Sequence, residues 1–288
     1  MKLNVTVLGT GLLGHALSER LLDLGFPVTV WNRTDSKTNK LKEQGARVAK
    51  TVGDAVSSAD CIILMLSDAK AISDVLSLED GSLNNKTVIQ MGTISSVQSM
   101  QVQKKVYKLG GEYLECPVLG SHTEARAGTL ILMVGSTQDK FDHWNDFLKY
   151  FGPKPKRIGK VGKAAALKLA LNHLIAVHAV GFSLSMSLIQ SNEIDVDDFM
   201  GILKQSALFT PMYENKLNNW KERCYDNPNF SVKHLLKDVN LVVQQAEANG
   251  LCTDVIQSIE GVVEKTITQG LGDKDYSAVF EVIKNDKS

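Results

Sequence analysis

Residues 5–34 read VTVLGTGLLGHALSERLLDLGFPVTVWNRT, and this stretch decides the fold of the first half of the chain. An apolar run rich in β-branched residues ends in a glycine-rich turn, a helical pattern follows, and a second apolar run ends at Trp31. In a G-x-G-x-x-G turn, the first glycine permits the tight turn, the second lets backbone approach a pyrophosphate, and the third lets the helix pack on the sheet. The pattern predicts a βαβ unit whose helix N-terminus binds a dinucleotide; the alternative is a glycine-rich turn that binds nothing. The predicted phosphate-binding residues are Gly9, Thr10, Gly11, Leu12, Leu13 and Gly14.

The residues after the second apolar run indicate which dinucleotide binds. Enzymes that use NAD usually carry Asp or Glu at this position, where the carboxylate holds the ribose 2′-hydroxyl. This chain has Asn32, followed by Arg33, Thr34 and, one turn later, Lys37. A guanidinium, a hydroxyl and an ammonium suit a 2′-phosphate, so the sequence predicts NADPH/NADP rather than NADH. The alternative is a solvated loop that happens to be basic.

Composition restricts the class of protein. The chain has 288 residues, 43% hydrophobic and 22% charged, and its 32 basic and 32 acidic residues give a net charge of zero. These values are typical of a globular enzyme, and nothing in them indicates a nucleic-acid or membrane partner. The four cysteines show no metal-ligand or CxxC spacing, so we expect reduced thiols and no metal site. The N-terminus lacks the pattern of a signal or transit peptide, which predicts a cytoplasmic location.

The organisation of the chain changes near residue 160. Before it, short and nearly uninterrupted apolar runs such as CIILML (61–66) and TVIQM (87–91) are typical of strands covered on both faces. After it, only helical patterns remain. We therefore predict an α/β fold: a Rossmann-type doubly wound sheet in a domain at 1–161, then an all-α domain at 162–288 built around a long interdomain helix. That helix is apolar nearly all round, but its charged and polar residues argue against a membrane span, so we expect a partner subunit or the other domain to cover it.

Lys168 and Asn172 are the first candidates for chemistry. They lie four residues apart on the long helix and therefore share one face. Apolar surroundings would lower the pKa of the Lys168 ammonium towards the range useful for proton transfer. Asn172 is able to accept from Lys168 with its carbonyl and to donate to a substrate with its amide. The alternative is that Lys168 reaches the surface and Asn172 makes a helix–helix hydrogen bond.

Loops that follow strands supply the second set of candidates, because ligands of such folds bind outside the carboxyl ends of the strands. In the loop of ECPVLGSH (115–122), backbone N–H groups around Gly120 and the Ser121 hydroxyl are expected to hold a small carboxylate, although the segment is also a serviceable turn. Leu119 and His122 flank these two residues. Two other loops are expected to line the cofactor, and Lys237 either reaches it or belongs to a charged helix face. The predicted cofactor contacts in this set are Leu66, Ser67, Thr93 and Lys237.

Several of these motifs, in this order, resemble the β-hydroxyacid dehydrogenase family. The resemblance runs along essentially the whole chain and rests on GTGLLG (9–14), VWNRTDSK (30–37), ECPVLG with AGTLILMVG (115–135), GKAAALKLALN (162–172) and FSVKHLLKD (230–238). It implies a Rossmann domain joined to a helical domain, an active site between them, and a homodimer or homotetramer built through the helical part. Lys168 matches the family's catalytic lysine and Asn172 its companion asparagine. Thr93 and Lys237 match cofactor contacts, and the Asn-Arg-Thr motif matches the NADP-preferring branches.

One departure from the family pattern concerns the substrate. The family often reads Pro-Val-Ser-Gly-Gly where this chain has Pro117-Val118-Leu119-Gly120-Ser121, so a serine that contacts the substrate carboxylate is replaced by leucine. We predict an NADPH-dependent oxidoreductase that reduces a small aldehyde- or keto-acid, of the glyoxylate or succinic semialdehyde type, with Lys168 as general acid. One alternative is an imine reductase, which the apolar Leu119 makes conceivable. The other is a non-catalytic NADP-binding interaction protein.

Overall fold

The computed structural model describes residues 2–284, which divide into two compact units with the boundary between Leu169 and Ala170. Every described strand lies in the first unit, and the regular elements of residues 170–284 are helical. The fold class predicted from the sequence is therefore confirmed. Because the boundary falls inside one continuous helix, the domain limits at 161 and 162 stay a prediction.

The first unit is built on a nine-stranded sheet in the order β3-β2-β1-β4-β5-β6-β8-β7, with β9 paired to β8. The strands from β3 to β6 are parallel, which gives the 3-2-1-4-5-6 order of doubly wound dinucleotide-binding folds. β8 runs antiparallel to β6 and β7. The strands are β1 (Val5–Leu8), β2 (Val28–Trp31), β3 (Arg47–Val48), β4 (Cys61–Leu64), β5 (Thr87–Gln90), β6 (Glu112–Glu115), β7 (Val118–Leu119), β8 (Ile131–Gly135) and β9 (Lys156–Gly159).

Apolar clusters cover both faces of this sheet. Along β4, Ile63 packs in one cluster, whereas Ile62 and Leu64 pack in the other. Since neighbouring residues of a strand point to opposite faces, a strand buried on both sides needs an uninterrupted apolar run. The helices of this unit are α1 (Leu12–Asp23), α2 (Asn39–Glu43), α3 (Val52–Ser57), α4 (Ala69–Val75), α5 (Ser96–Lys108), α6 (His122–Ala127) and α7 (Gln138–Leu148).

The second unit packs helices around α8 (Lys163–Ser191), which begins in the first unit and is 29 residues long. Its main apolar cluster joins α8, through Ala176 and Ala179, to the two helices that follow residue 231. The other helices are α9 (Val196–Gln205), α10 (Pro211–Glu222), α11 (Val232–Ala248), α12 (Asp254–Thr266) and α13 (Phe280–Lys284), with shorter turns at Ile267–Leu271 and Tyr276–Val279.

One side of α8 carries an exposed apolar stripe. By length and composition alone α8 is apolar enough to cross a membrane, but only 33% of its most apolar 18-residue window is buried inside the chain. Leu174, Leu184 and Leu188 are 50%, 61% and 61% exposed, and Gly181 lies between them on the same side. Their helical spacing makes one continuous stripe, which we call the α8 stripe.

Candidate active site

The glycine turn between β1 and α1 has the geometry of a phosphate-binding loop. Gly9 has a φ of +99°, and a Cβ there would overlap the Met65 carbonyl oxygen. A Cβ at Gly14 would overlap the Gly9 carbonyl, so this glycine lets α1 pack closely on the turn. At Gly11, by contrast, no described atom lies within 4 Å of the position a Cβ would take. Gly11 is also the N-cap of α1 and has no side chain to occupy the helix N–H groups, so the turn fits a pyrophosphate.

Thr10 and Asn32 connect this turn to the loop after β2. The Thr10 backbone N–H donates to Asn32 Oδ1 at 3.1 Å, and the Thr10 hydroxyl donates to the Lys37 carbonyl at 3.1 Å. Asn32 in turn donates from Nδ2 to the Thr34 carbonyl at 3.0 Å. The two polar side chains therefore shape the loop, and the side chains of Arg33, Thr34 and Lys37 are left exposed.

The loops after β4 and β5 meet the glycine turn at the same edge of the sheet. Leu66 packs against Gly9, and the Leu66 backbone lies so close to Gly92 that only glycine fits there. Thr93 follows and is half-buried. Ser67 is exposed and donates to Asp68 Oδ2 at 2.8 Å, while Asp68 caps α4. Of the predicted cofactor contacts, Leu66 thus lies beside the turn, Thr93 follows the glycine that packs on Leu66, and the Ser67 hydroxyl is engaged with Asp68.

The predicted carboxylate-binding loop is organised differently from our expectation. Ser121 donates to Glu124 Oε2 from its backbone nitrogen at 2.7 Å and from its hydroxyl at 2.6 Å. The Ser121 hydroxyl also accepts from Thr123 N, and with the Glu124 carboxylate on Ser121 N these contacts belong to a capping box at the start of α6. These hydrogen bonds hold the pKa of the Glu124 carboxyl below its ordinary value of 4.5. Both Ser121 donors are thus engaged by Glu124, and the role of Ser121 in holding a substrate carboxylate stays a prediction.

The neighbours of Ser121 in this loop have different surroundings. Leu119 is half-buried and pairs with Ile131 across β7 and β8. Gly120 is exposed at a φ of +129°, where a Cβ would lie 2.8 Å from the Leu130 side chain. The His122 Nδ1 atom is buried and has no hydrogen-bond partner among residues 2–284. His122 is therefore the side chain of this loop with an unused polar atom.

Lys168 is buried in α8, with 8% of its surface exposed. Lys168 is thus largely shielded from solvent, and its catalytic role stays a prediction. The turn that precedes it in α8 is held by a residue that sequence reasoning did not select, Glu115 at the end of β6. Its carboxylate accepts from the backbone nitrogens of Gly162 and Ala165 at 2.7 and 2.9 Å.

Asn172, on the same face of α8 as Lys168, is paired with Asp238 of α11. The Asn172 Nδ2 atom donates to Asp238 Oδ2 at 2.5 Å, and the two residues are 4% and 2% exposed. Asp238 Oδ1 forms an ion pair with Lys237 Nζ at 2.6 Å. The Asn172 carbonyl oxygen is buried and has no hydrogen-bond partner in the described part of the chain. The amide that we expected to donate to a substrate is thus engaged by Asp238, and the carbonyl is the unused group.

Together, the 3-2-1-4-5-6 sheet, the open glycine turn and the helical unit define an NAD(P)-dependent oxidoreductase of the Rossmann class. Residues 4–162 match the family model described as the NAD binding domain of 6-phosphogluconate dehydrogenase. Residues 162–283 match the model described as NAD-binding of NADP-dependent 3-hydroxyisobutyrate dehydrogenase. The chain belongs to the β-hydroxyacid dehydrogenase family, whose members act on CH–OH groups with NAD(P), as its sequence motifs predicted.

Two curated relatives show the breadth of the family around this chain. Glyoxylate/succinic semialdehyde reductase 1 of Arabidopsis thaliana is 32% identical over 286 residues, which cover 98% of this chain and 99% of the relative. Cytokine-like nuclear factor N-PAC of Drosophila melanogaster is 30% identical over 280 residues, which cover 95% of this chain but 46% of the relative.

Solved structures show the same fold at lower identity. The Mycobacterium tuberculosis 3-hydroxyisobutyrate dehydrogenase with L-serine is 21% identical, with a TM-score of 0.84 and coverage of 98% of this chain and 99% of that chain. The imine reductase of Myxococcus stipitatus with NADP+ is also 21% identical, with a TM-score of 0.68 and coverage of 97% and 99%. At these identities the likeness concerns the fold alone.

Proposed function

We propose that this protein reduces a small aldehyde- or keto-acid of the glyoxylate or succinic semialdehyde type, with NADPH as the reductant and Lys168 as the general acid. The observation that carries the proposal is the burial of Lys168, four residues before Asn172, whose carbonyl oxygen has no described partner. A buried lysine is rare unless it is paired or has a chemical task. The 32% identical Arabidopsis relative is a glyoxylate/succinic semialdehyde reductase, which supports the substrate class.

The chemistry assigns a separate task to each side chain. When bound, the reduced nicotinamide supplies a hydride, with its two electrons, to the carbonyl carbon of the substrate. As the C=O π electrons move to oxygen, the Lys168 ammonium donates its proton to that oxygen, so that a hydroxyl forms and a neutral amine remains. The amine then recovers a proton from water. Asp238 holds the amide of Asn172, which leaves the Asn172 carbonyl, unpaired among the described residues, to accept from the Lys168 ammonium when substrate and cofactor are bound.

The preference for NADPH rests on the loop after β2. Arg33 and Lys37 are exposed cations, and none of residues 32–34 is acidic. Guanidinium and ammonium groups form charge-assisted hydrogen bonds with phosphate, whereas an NAD enzyme usually carries a carboxylate at this position.

The acid end of the substrate has fewer candidate contacts than the sequence indicated. Ser121 is engaged by Glu124, and Leu119 offers no polar group. Gly120 and His122 remain in the loop, and His122 has an unused ring nitrogen. We therefore propose that His122, with the Gly120 backbone, contacts the substrate in place of the family's serine.

Assembly and location complete the proposal. The α8 stripe is too apolar to face water without cost, so we propose a homodimer or homotetramer in which another copy covers it. The cytoplasmic location expected from the sequence stays a proposal.

The test is an NADPH-consumption assay over a panel of small aldehyde- and keto-acids, repeated with NADH and with cyclic imines. We expect turnover of at least one carbonyl acid, preference for NADPH, and loss of nearly all turnover in Lys168→Ala with NADPH binding retained. Near-normal turnover in Lys168→Ala would contradict the role of Lys168 as general acid. Faster turnover of imines than of carbonyl acids would show that the substrates are imines. NADPH binding without oxidation across the panel would support a non-catalytic role.

A further inference from the structure

The N-terminus of α8 is capped by a side chain from a distant strand rather than by its own preceding residues. Gly162 is the residue whose carbonyl accepts the first helical hydrogen bond, from Ala166 N at 3.1 Å. A residue in this place usually caps the helix with a Ser, Thr, Asp or Asn side chain. Gly162 has none, and its φ of +95° favours glycine. The N–H groups of the first turn therefore need an acceptor from elsewhere.

Glu115 supplies that acceptor with both carboxylate oxygens. Oε2 accepts from the Gly162 backbone nitrogen at 2.7 Å and from the Ser99 hydroxyl, and Oε1 accepts from the Ala165 backbone nitrogen at 2.9 Å. Glu115 is 2% exposed and Ser99 is fully buried. Ser99 is itself held by the Tyr113 hydroxyl at 2.8 Å. This buried network fixes the position of the carboxylate, and the carboxylate fixes the first turn of α8 to the end of β6.

The turn that Glu115 holds is the turn directly before Lys168. Ala165, Lys168 and Asn172 follow each other at spacings of three and four residues, so they lie along one face of α8. Side chains of a helix also tilt towards its N-terminus, which directs Lys168 towards the turn of Ala165. A displacement of the first turn would therefore displace the Lys168 ammonium.

The negative charge of Glu115 also affects Lys168, because it favours the protonated ammonium. The N-terminal end of a helix carries a partial positive charge, which disfavours an ammonium most in the first turn and less beyond it. A buried carboxylate at that end offsets this charge, and it does so strongly because solvent does not screen it.

From these contacts we infer that Glu115 is a positioning residue for the reduction: it fixes the turn that carries Lys168 and keeps the Lys168 ammonium protonated. This inference rests on the proposed role of Lys168. Glu115 itself need not touch the substrate or the cofactor, so its loss should change kcat and the pH profile and leave the KM for NADPH unchanged.

The test compares Glu115→Gln and Glu115→Asp with the wild type, using the carbonyl acid of highest turnover in the panel above. Gln has nearly the same volume but lacks the charge, and its amide nitrogen cannot accept a hydrogen bond. We expect kcat to fall about tenfold or more, and the alkaline limb of the kcat profile to move to lower pH by about one unit. In Glu115→Asp the charge remains but the side chain is shorter. We therefore expect kcat to fall while the alkaline limb of the kcat profile stays at the wild-type pH.

Glu112→Gln is the matched control, since Glu112 lies on the same strand, is exposed, and pairs with Lys140 at the surface. Glu112→Gln should leave both kcat and the alkaline limb of its pH profile unchanged. If Glu115→Gln does not fold, Glu115→Asp still decides the inference: unchanged kcat in that variant would overturn it. If Glu115→Gln folds and loses stability with no movement of the limb, Glu115 is only structural and the inference fails.

Lys168→Ala, measured in parallel, separates this inference from the proposed function. If it retains turnover, the role of Lys168 is wrong and the inference falls with it. If it is inactive while Glu115→Gln keeps both kcat and its profile, the role of Lys168 stands and only the inference about Glu115 is overturned.

Discussion

The Asn172 amide donates to Asp238 Oδ2 at 2.5 Å across two helices, and both side chains are buried. An amide nitrogen donates and an amide oxygen accepts, so this one contact decides which end of Asn172 is left for chemistry. The carboxylate of Asp238 is held in turn by Lys237 at 2.6 Å. Lys237 and Asp238 are thus joined by an ion pair, and Asp238 and Asn172 by a hydrogen bond. The Asn172 carbonyl at the end of this series has no described partner.

Neutralising Asp238 should therefore impair turnover. In Asp238→Asn the new amide can donate to Asn172 and so reverse the orientation of the Asn172 side-chain amide. The Asn172 carbonyl would then face residue 238 and no longer be available for chemistry. A hydrogen bond to a charged group contributes roughly 1.5–3 kcal/mol, so we expect kcat to fall about 30-fold. Steady-state kinetics measures this, and circular dichroism checks the fold. Glu247→Gln, an exposed carboxylate on the same helix, is the control, and a kcat within a factor of two of wild type in Asp238→Asn would contradict the prediction.

The choice of nucleotide should depend on Arg33. Its side chain is exposed in the loop shaped by Thr10 and Asn32, where a 2′-phosphate is expected. We expect Arg33→Ala to raise the KM for NADPH about tenfold, because one charge-assisted contact is lost. The KM for NADH should be unchanged. Lys40→Ala removes an exposed cation from the adjacent helix α2 and should have little effect on either value. Equal changes in both KM values would mean that Arg33 does not distinguish the nucleotides.

The sequence predicted the fold because its signals are local. The glycine turn, the uninterrupted run of β4 and the helical second half each report on a few neighbouring residues. The contacts of Glu115 with the start of α8 and of Asp238 with Asn172 join residues 47 and 66 positions apart, and no local pattern reports such distances. Ser121 is a different case, because the Ser-x-x-Glu signal of a capping box was present in the sequence. We interpreted its hydroxyl as a ligand donor, and the nearer carboxylate of Glu124 was the competing partner.

The capping box at α6 should make stability depend on pH. Hydrogen bonds from Ser121 lower the pKa of Glu124 below 4.5 in the folded state. A group whose folded pKa is lowered contributes stability that is present above the unfolded pKa and is lost as pH falls through the folded pKa. Glu124→Gln should thus lower the unfolding temperature by about 2 °C at neutral pH. The difference from wild type should persist down to about pH 4.5 and shrink below it.

Thermal unfolding of both proteins across this pH range measures the difference. Glu79→Gln, an exposed carboxylate in the same unit, controls for the loss of one charge. A difference that grows as the solution becomes more acidic would have the wrong sign, and it would show that Glu124 stabilises the fold in its protonated form.

The α8 stripe should control assembly. Leu184 is 61% exposed at the middle of the stripe, next to Gly181, where no described atom lies within 4 Å of the position of a Cβ. A glycine inside a helix costs about 1 kcal/mol relative to alanine, and close approach of another backbone is a physical reason to keep one. A glutamate at residue 184 would place a charge in the proposed apolar contact between copies, so Leu184→Glu should dissociate the proposed oligomer into monomers. Size-exclusion chromatography with light scattering measures the mass, and Val97→Glu, 51% exposed on α5, is the control that should keep the wild-type mass. A wild-type mass that is already monomeric, or one unchanged in Leu184→Glu, would show that another copy does not cover the stripe.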